Sequence, residues 1–476
     1  MSKSLKIILY AVGGFVGLLA FVAMALLFFV DANAYKSRLE AATSEVLGME
    51  VRVGGRMGIA FFPGLLVTLE DMRIRNRGTD FASAKEAGLG IYLFPLLQKK
   101  VRIGSIALKH SRISIERGRD GKFNFEKPEE AAGGMLPALD LAKVSLSDGT
   151  FLYADKQSGE GFEAGDCSLD VHPLRLSSGK RSDFMKNLSF TAELACREIR
   201  TKDFTASDLK ISVAGKDGVF DLKPVLMRAF GGQGSGSIRA DFAADVPLYH
   251  IRYSLSQFHI KEFLKTLSPN KIAEGSMDLS ANLSMQGKTA KEMTRTAHGE
   301  VSLRGKELML DGIDLDRNLS RFESSQNFNL VDVGAFFFAG PFGLVVTKGY
   351  NFASIFQGSG GRSEIRTIVS AWKVELGTAQ AQDVAMATND NRIALQGKLD
   401  FVNERFNDVT MAVIDAKGCA SVRQKILGTF QKPVVEKPSF LKSLTGPAFN
   451  LLKKGRKLFP GGACEVFYAG SVAPPK

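Results

Sequence analysis

The stretch Ser276-Met277-Asp278-Leu279-Ser280-Ala281-Asn282-Leu283-Ser284-Met285-Gln286 alternates without a break between apolar and polar side chains. A strand sends Met277, Leu279, Ala281, Leu283 and Met285 to one face and Asp278, Ser280, Asn282 and Ser284 to the other. A helix would scatter both sets around its circumference. The same period of two recurs at Phe190/Ala192/Leu194, Leu209/Ile211/Val213, Ile238/Ala240/Phe242, Tyr249/Ile251/Tyr253/Leu255 and Ile393/Leu395. Turn chemistry separates these runs: Asp120-Gly121, Asp148-Gly149, Asp217-Gly218 and the glycine-rich stretch Gly231 to Gly236, in a chain with 48 glycines. From Glu50 onward the chain reads as mainly β.

Helical patterns are few. Asn33 to Leu47, with Tyr35, Leu39, Ala42 and Val46 on one face, reads as an amphipathic helix. Short helices are expected over Phe258 to Leu267 and Asp314 to Ser324, after Tyr350 and before Leu452. They cannot cover the apolar face of so many strands, and that face must be buried somewhere. Folding onto a second sheet makes a sandwich, the commoner solution. Curling makes a trough whose inner surface stays open to lipid. Alternation is the same in both.

Outward from the strands, the N-terminus is unlike the rest. Lys3 and Lys6 precede a run from Ile7 to Val30 that holds no charged side chain. As a helix its 24 residues would span about 36 Å, enough for a hydrocarbon core of about 30 Å. Basic residues on the short side place residues 1–6 in the cytoplasm and everything after Asp31 outside. Ala32-Asn33-Ala34 has the form of a cleavage site, but the run exceeds the roughly 7–15 apolar residues of a cleavable signal. The expectation is a single-pass inner-membrane anchor over 7–30 with the bulk of the chain periplasmic. Beyond it, 31–130 reads as an N-terminal β domain, 131–305 as a repetitive β-sheet region and 306–476 as a C-terminal region.

Hydrophobic residues make up 45% of the 476 and charged ones 24%, which supplies a core and excludes a disordered chain. The net charge of +12 is unevenly spread. Lys99, Lys100, Arg102, Lys109, Arg112, Arg117, Arg119 and Lys122 face only Glu116 and Asp120, and Lys453, Lys454, Arg456 and Lys457 form a second run. Such runs are either solvated surface or attracted to anionic head groups. An anchored extracytoplasmic body is not expected to meet nucleic acid.

The cysteines Cys167, Cys196, Cys419 and Cys464 form no C-x-x-C pair, and the five histidines are scattered, which argues against a zinc site. An even number in an oxidising compartment favours disulfides. Of three connectivities, pairing between neighbouring segments, Cys167 with Cys196 and Cys419 with Cys464, is expected; four buried thiols is the alternative.

No catalytic constellation emerges. Gly287-Lys288-Thr289 resembles the tail of a phosphate loop, but Asn282 stands where that loop needs glycine. Asp314-Leu315-Asp316-Arg317-Asn318 begins like a calcium loop, but Leu319 replaces its glycine and Ser325 its glutamate. Neither a G-x-S-x-G elbow nor H-E-x-x-H is present. Phe336, Phe337, Phe338 and Phe342 form the densest aromatic patch, which reads as core before it reads as an apolar tip.

Taken in order, several stretches resemble the AsmA family of bacterial envelope proteins. In the N-terminal third these are the anchor, Asp31 and Tyr35, Val51 to Val53, Phe62-Pro63-Gly64 with the strand to Leu69, and Phe81-Ala82. Leu93-Phe94-Pro95-Leu96-Leu97, Val101 to Leu108 and Gly121-Lys122-Phe123-Asn124 follow. Toward the C-terminus they are Asp314-Leu315-Asp316, Asn327-Phe328, Leu330-Val331-Asp332-Val333-Gly334-Ala335, Lys348-Gly349-Tyr350 and Asp383-Val384-Ala385. Gly418-Cys419, Gln424-Lys425-Ile426, Lys432-Pro433 and the run from Cys464 to Val472 complete the series.

The resemblance implies an elongated, curled antiparallel β-sheet trough after the transmembrane helix, related to bridge-like lipid-transfer proteins. Some 20 strands laid crosswise at about 4.8 Å each would make it about 100 Å long. It also implies a non-enzymatic role in outer-membrane biogenesis without a cofactor: carriage of phospholipid between inner and outer membranes. The alternative is a scaffold or regulator of outer-membrane protein assembly. The expected partners are phospholipid acyl chains, the inner membrane and envelope-assembly proteins. The expected lining is Met277, Leu279, Ala281, Leu283 and Met285, with Ile238, Phe242, Ile251 and Tyr253.

Overall fold

The structure is a computed structural model that describes residues 36–60, 64–125, 135–266, 273–317, 319, 337, 361–440 and 465–475, apart from residues 48, 77, 99–101, 137, 181–182, 312–313 and 438. The apolar run Ile7–Val30 lies outside the described residues, and no described helix is long and apolar enough to cross a membrane. Contacts divide the chain into two compact units, residues 1–202 with 207–218 and residues 203–206 with 219–476.

The first unit opens with helix α1 (Lys36–Leu47) and strands β1 (Glu50–Val53), β2 (Met57–Ala60), β3 (Leu65–Asn76) and β4 (Thr79–Ile91). Helix α2 (Leu93–Leu97), β5 (Ile103–Arg117), β6 (Met135–Leu136), β7 (Leu139–Leu141), β8 (Lys143–Asp155), β9 (Gly161–Leu176) and β10 (Gly179–Lys180) follow. Helix α3 (Phe184–Asn187), β11 (Leu188–Thr201) and β12 (Thr205–Lys216) close the series, with the division between units falling inside β12. β1 and β2 share one side of β3, and the ladder continues through β4, β5, β8, β9 and β11.

All of these pairings are antiparallel except β5 with β8. The expectation of a purely antiparallel sheet fails there because 25 residues, 118–142, separate the two strands. Parallel neighbours require a long crossover rather than a tight turn.

Five strands of this unit carry a non-glycine residue in the left-handed region, Asp208 (φ 54°) on β12 and a group of four: Asp71 (φ 51°), His110 (φ 47°), Asp148 (φ 51°) and Asp166 (φ 50°). The four form a row. Glu70 opposes Glu86, Glu86 opposes Lys109 and Lys109 lies beside Ser147, so Asp71, His110 and Asp148 follow at one level. Gly149 then opposes Cys167, next to Asp166. Asp148 and Asp166 stand where the β8–β9 register shifts, as the extra residues of bulges; at Asp71 and His110 the paired strands step together, with no shift between them. The apolar positions step Val67, Leu69, then Met72, Ile74 on β3, and Val144, Leu146, then Gly149, Phe151 on β8. Asp148-Gly149 is therefore a mid-strand bulge and not the turn its composition suggests.

Helix α1 lies along β1. The Val51 amide donates to Ser44 Oγ (2.9 Å), the Val53 amide to Glu40 Oε1 (2.7 Å) and Lys36 Nζ to the Gly55 carbonyl (3.1 Å). Leu39 packs on the cluster of Val53, Met57, Val67, Leu69 and Ala87. The first three residues of the expected helix, 33–35, Tyr35 among them, lie outside the described residues.

The second unit runs antiparallel throughout: β13 (Val219–Ala229), β14 (Gly232–Asp241), β15 (Leu248–His259), helix α4 (Ile260–Lys265), β16 (Ala273–Glu274), β17 (Ser276–Gln286), helix α5 (Ala290–Thr296) and β18 (His298–Asp311). β19 (Arg362–Glu375), β20 (Thr378–Ala387), β21 (Arg392–Asp400), β22 (Arg405–Ile414), β23 (Ala420–Gly428), β24 (Pro433–Val435) and β25 (Ser439–Phe440) extend it. Phe258 stays in β15, so the helix expected from it begins two residues later. Residues 315–317 and 319 are helical; the rest of 318–324 and the helices expected after Tyr350 and before Leu452 lie outside the described residues.

Helix α5 has no forerunner in the sequence reading. The Thr289 side chain caps it by accepting from the Glu292 amide (3.2 Å), and the Lys288 amide donates to Glu292 Oε2 (2.8 Å). That hydrogen bond is the first cause holding the Glu292 carboxyl below its ordinary range. Thr289-Ala290-Lys291-Glu292 has the spacing of a capping box, the signal that was overlooked beside the phosphate-loop resemblance.

The left-handed bulge at Asp148 sets one test. Replacing Asp148 with Gly should leave stability unchanged or raise it, whereas Asp148→Val should cost about 1–3 kcal/mol, because a β-branched residue tolerates that conformation poorly. Urea unfolding of the two variants beside the parent chain measures it; equal stabilities would refute the bulge.

Candidate functional site

The register of the second unit brings the expected lining residues onto one face. Leu222, Ile238, Ile251 and Leu283 oppose one another in a row across β13, β14, β15 and β17. The next row is Val225, Gly236, Tyr253, Ala281 and Val301, and a third joins Leu255, Leu279 and Leu303. Tyr249 and Met285 pair at one end of the strands, Phe258 and Met277 at the other. Phe242 falls just past β14 and not within it.

Aromatic rings stand at both ends of this aliphatic floor. Phe242 meets Phe220 and Tyr249 edge-on at 5.7 and 5.9 Å between centroids. At the opposite end Phe263, on α4, meets Phe230 (5.4 Å) and Phe258 (5.8 Å). Edge-to-face rings at these spacings reinforce each other beyond their area alone.

Coverage of the floor changes along the sheet. Ile238, Phe242, Ile251, Tyr253, Leu279, Ala281, Leu283 and Met285 are half-buried, whereas Met277 is only 2% exposed. From β18 onward the same face closes. Leu303 lies beside Ser370 and Val301 beside Trp372, with exposures of 2% for Leu303 and Trp372 and 0% for Ser370. Trp372 Nε1 donates to Ser370 Oγ (2.7 Å), which donates to the carbonyl of Phe337 (2.9 Å), itself fully buried. Of the aromatic patch, Phe337 is thus core; Phe336, Phe338 and Phe342 lie outside the described residues.

The opposite face of these strands is polar. Ser235 faces Ser254, Ser254 faces Ser280 and Ser280 faces Ser302, and the last two hydroxyls are 2.8 Å apart. Arg239 bonds both carboxylate oxygens of Asp221 at 3.0 Å. A sheet that is wet on one side and greasy on the other can hold hydrocarbon on its apolar face without catalysis.

Tyr253 explains the glycines of β14. A Cβ at Gly234 would lie 1.9 Å from Tyr253 Oη, and one at Gly236 would lie 2.6 Å from its ring, so the ring occupies the space that two missing side chains leave. Gly232 likewise makes room for Phe258. Gly232 to Gly236 are thus strand residues, not a turn. Tyr253 Oη is buried without a hydrogen-bond partner, and burial pushes its phenol up to about 12.

In the first unit, Cys167 and Cys196 face each other across β9 and β11 and form a disulfide on the apolar face, among Ala164, Phe151 and Leu194. Cys419 is also disulfide-bonded, and Cys464 lies outside the described residues. The basic run around β5 does not make one patch. Fifteen residues of strand separate its ends by about 50 Å, leaving Arg102 beside Asp140, Lys109 beside Glu86 and Arg117 beside Asp155. The Lys453–Lys457 run lies outside the described residues.

Two stretches far apart in sequence meet on the other face of β20 to β23. Asp383 accepts from the Tyr468 hydroxyl and from the Ser471 amide (3.2 Å). Phe467 and Tyr468 amides donate to the Gly418 carbonyl at 2.8 and 3.0 Å, and Arg392 Nη1 donates to the Val472 carbonyl (2.9 Å). Burial, then the hydrogen bond to Asp383, raises the Tyr468 phenol above its ordinary range. Phe467, Tyr468 and Val472 complete a core with Val369, Ala385, Ala394, Ala412 and Ile414. Asp316, from the rejected calcium loop, accepts from Asn391 Nδ2 (2.7 Å) and Thr388 Oγ1 (2.5 Å) at the β20–β21 turn. Among the described residues no group of three or more His, Cys, Asp or Glu could hold a metal ion.

Tyr253→Phe should stabilise the lipid-free chain by about 1 kcal/mol, because it removes a buried hydroxyl without a partner. Its phenol, raised from 10.0 to about 12 by burial, contributes stability that is whole below pH 10 and lost as pH rises through 12. Alkaline unfolding of the parent and of Tyr253→Phe should differ by a constant margin below pH 10 and by more as pH rises through that window.

A profile of the AsmA family matches residues 1–182 and 135–335. No curated protein and no solved structure matches the chain. The matched residues span well over half of the sequence and include the apolar floor from β13 to β18. The chain belongs to the AsmA family.

Proposed function

We propose that this protein is anchored in the bacterial inner membrane by residues 7–30 and carries phospholipid through the periplasm toward the outer membrane, with acyl chains on the apolar floor of β13 to β17. The observation that carries this reading is that most of that floor is only half-buried, Val225, Leu255, Phe258 and Met277 being its buried members, on a sheet whose same face is sealed from β18 onward. A soluble body gains by covering such a face; hydrocarbon tails are the natural cover. Drawing a 16-carbon chain into water costs about 12 kcal/mol at roughly 0.8 kcal/mol per methylene. A floor of leucine, isoleucine and methionine removes most of that cost while head groups stay wet at the rim. The role needs no reacting group, and direction must come from outside the groove.

A second reading, a non-catalytic scaffold or regulator of outer-membrane protein assembly, draws on β19 to β22, each of which has a stretch of consecutive buried residues that leaves neither face open there. It predicts crosslinks to a protein from Phe336–Phe342 or Cys464–Val472, with no lipid bound.

Mass spectrometry of lipid retained by the purified full chain tests the first reading. Leu279→Asp with Leu283→Asp should abolish the lipid and leave the strand content of circular dichroism intact, because both side chains are half-buried. Met277→Asp, by contrast, should destabilise by about 3–5 kcal/mol, the cost of an unpaired buried charge. Unchanged lipid in the folded double variant would refute carriage on this floor.

A further inference from the structure

Exposed apolar side chains in the first unit are not scattered. Among the described residues, eight large ones stand open to solvent, and six of them share one end of the sheet: Leu66 (38% exposed), Tyr92 (42%), Leu93 (43%), Phe94 (85%), Leu139 (42%) and Phe184 (41%). The register puts them together. Leu65 opposes Ile91, Ile91 opposes Ile103, and Arg102 reaches Asp140 at 2.9 Å, next to Leu139, which opposes Leu176. Leu176 opposes Leu188, the first residue after α3, and α3 begins with Phe184. The other two, Phe125 and Phe162, lie at the far end.

Charge at this end is positive. Asp140 is shared by two guanidinium groups, Arg102 at 2.9 Å and Arg175 at 3.5 Å, and Lys180 and Lys186 stand nearby. The Arg102 guanidinium also lies over the Tyr92 ring, 5.5 Å from its centroid. Aromatic rings, aliphatic side chains and surplus cations on one rim match an interface of hydrocarbon, carbonyls and anionic head groups.

The start of α1 lies on the side of the sheet nearer this end, level with the middle of β3. Lys36, the first residue of α1, bonds the Gly55 carbonyl, while Ser44, eight residues on, bonds Val51. The start of α1 therefore points along the sheet toward the β2–β3 turn and this apolar rim. The apolar run ends at Val30, five residues before α1, and five residues extend about 18 Å at most.

We infer that the rim formed by Tyr92, Leu93, Phe94, Leu139 and Phe184 docks on the surface of the bilayer from which residues 7–30 emerge, with Arg102, Arg175, Lys180 and Lys186 on anionic head groups. The inference rests on the reading of 7–30 as an anchor. Docking there holds the end of the sheet at lipid level, where an acyl chain leaving the membrane meets protein before water.

The test uses the full chain in nanodiscs of ethanolamine and glycerol phospholipids, part of them brominated in the acyl chains. The only native tryptophan, Trp372, is 2% exposed and serves as the unquenched reference. Phe94→Trp should add emission that is blue-shifted and lost with brominated lipid; Phe162→Trp should add emission that is neither. Exchanging the glycerol lipid for more ethanolamine lipid should weaken the quenching. A chain that enters the discs but leaves Phe94→Trp unquenched, or quenches both tryptophans alike, overturns the docking surface alone. A chain that does not enter the discs overturns the anchor and the docking together.

Discussion

The backbone ladder that sets Leu255, Leu279 and Leu303 side by side is the constraint on which the rest depends. Side chains alternate strictly along a strand, so a slip of one residue in any pairing would turn an apolar row to water and a serine row to the floor. Left-handed residues are what let strands of 12 to 16 residues obey that rule along their whole length. At Asp71 and Asp148 the apolar positions resume three steps on, so the greasy face stays continuous past the break. In the first unit the Cys167–Cys196 bond pins the same register covalently between β9 and β11.

Much of this was legible. Ser276 to Gln286 reads as a strand because nothing interrupts its alternation, and Met277, Leu279, Ala281, Leu283 and Met285 do share a face. The left-handed breaks were not legible as such, because Leu69-Glu70-Asp71-Met72 interrupts the period in the way a strand end would. Asp148-Gly149 misled for the same reason. An aspartate that can adopt the left-handed region serves a turn and a bulge equally. The glycines of β14 looked like punctuation, yet they are the imprint of Tyr253 and Phe258 on the next strand. That partnership is visible only once the register is known.

How far the apolar face stays open was the least legible property. Ile393 and Leu395 alternate as neatly as Ile251 and Tyr253, but the first pair is sealed and the second half-buried. Alternation records which face is apolar; it carries no record of what lies over it. Long-range partners decide that, and they are encoded tens of residues away. Tyr468 reaches Asp383 across 85 positions, and Ser370 meets Phe337 across 33. The stretches quoted for the family resemblance, Asp383-Val384-Ala385 and Cys464 to Val472, thus include two sides of a single packed core.

The lodging of α1 against β1 has a consequence for self-association. A β-strand with unused amides templates copies of itself, and long sheets are the most exposed to such growth. Here Ser44 and Glu40 already occupy the outward amides of Val51 and Val53. A foreign strand offered to β1 would have to evict a helix first, so end-to-end fusion of sheets into fibres is closed off where the chain emerges from its leading segment.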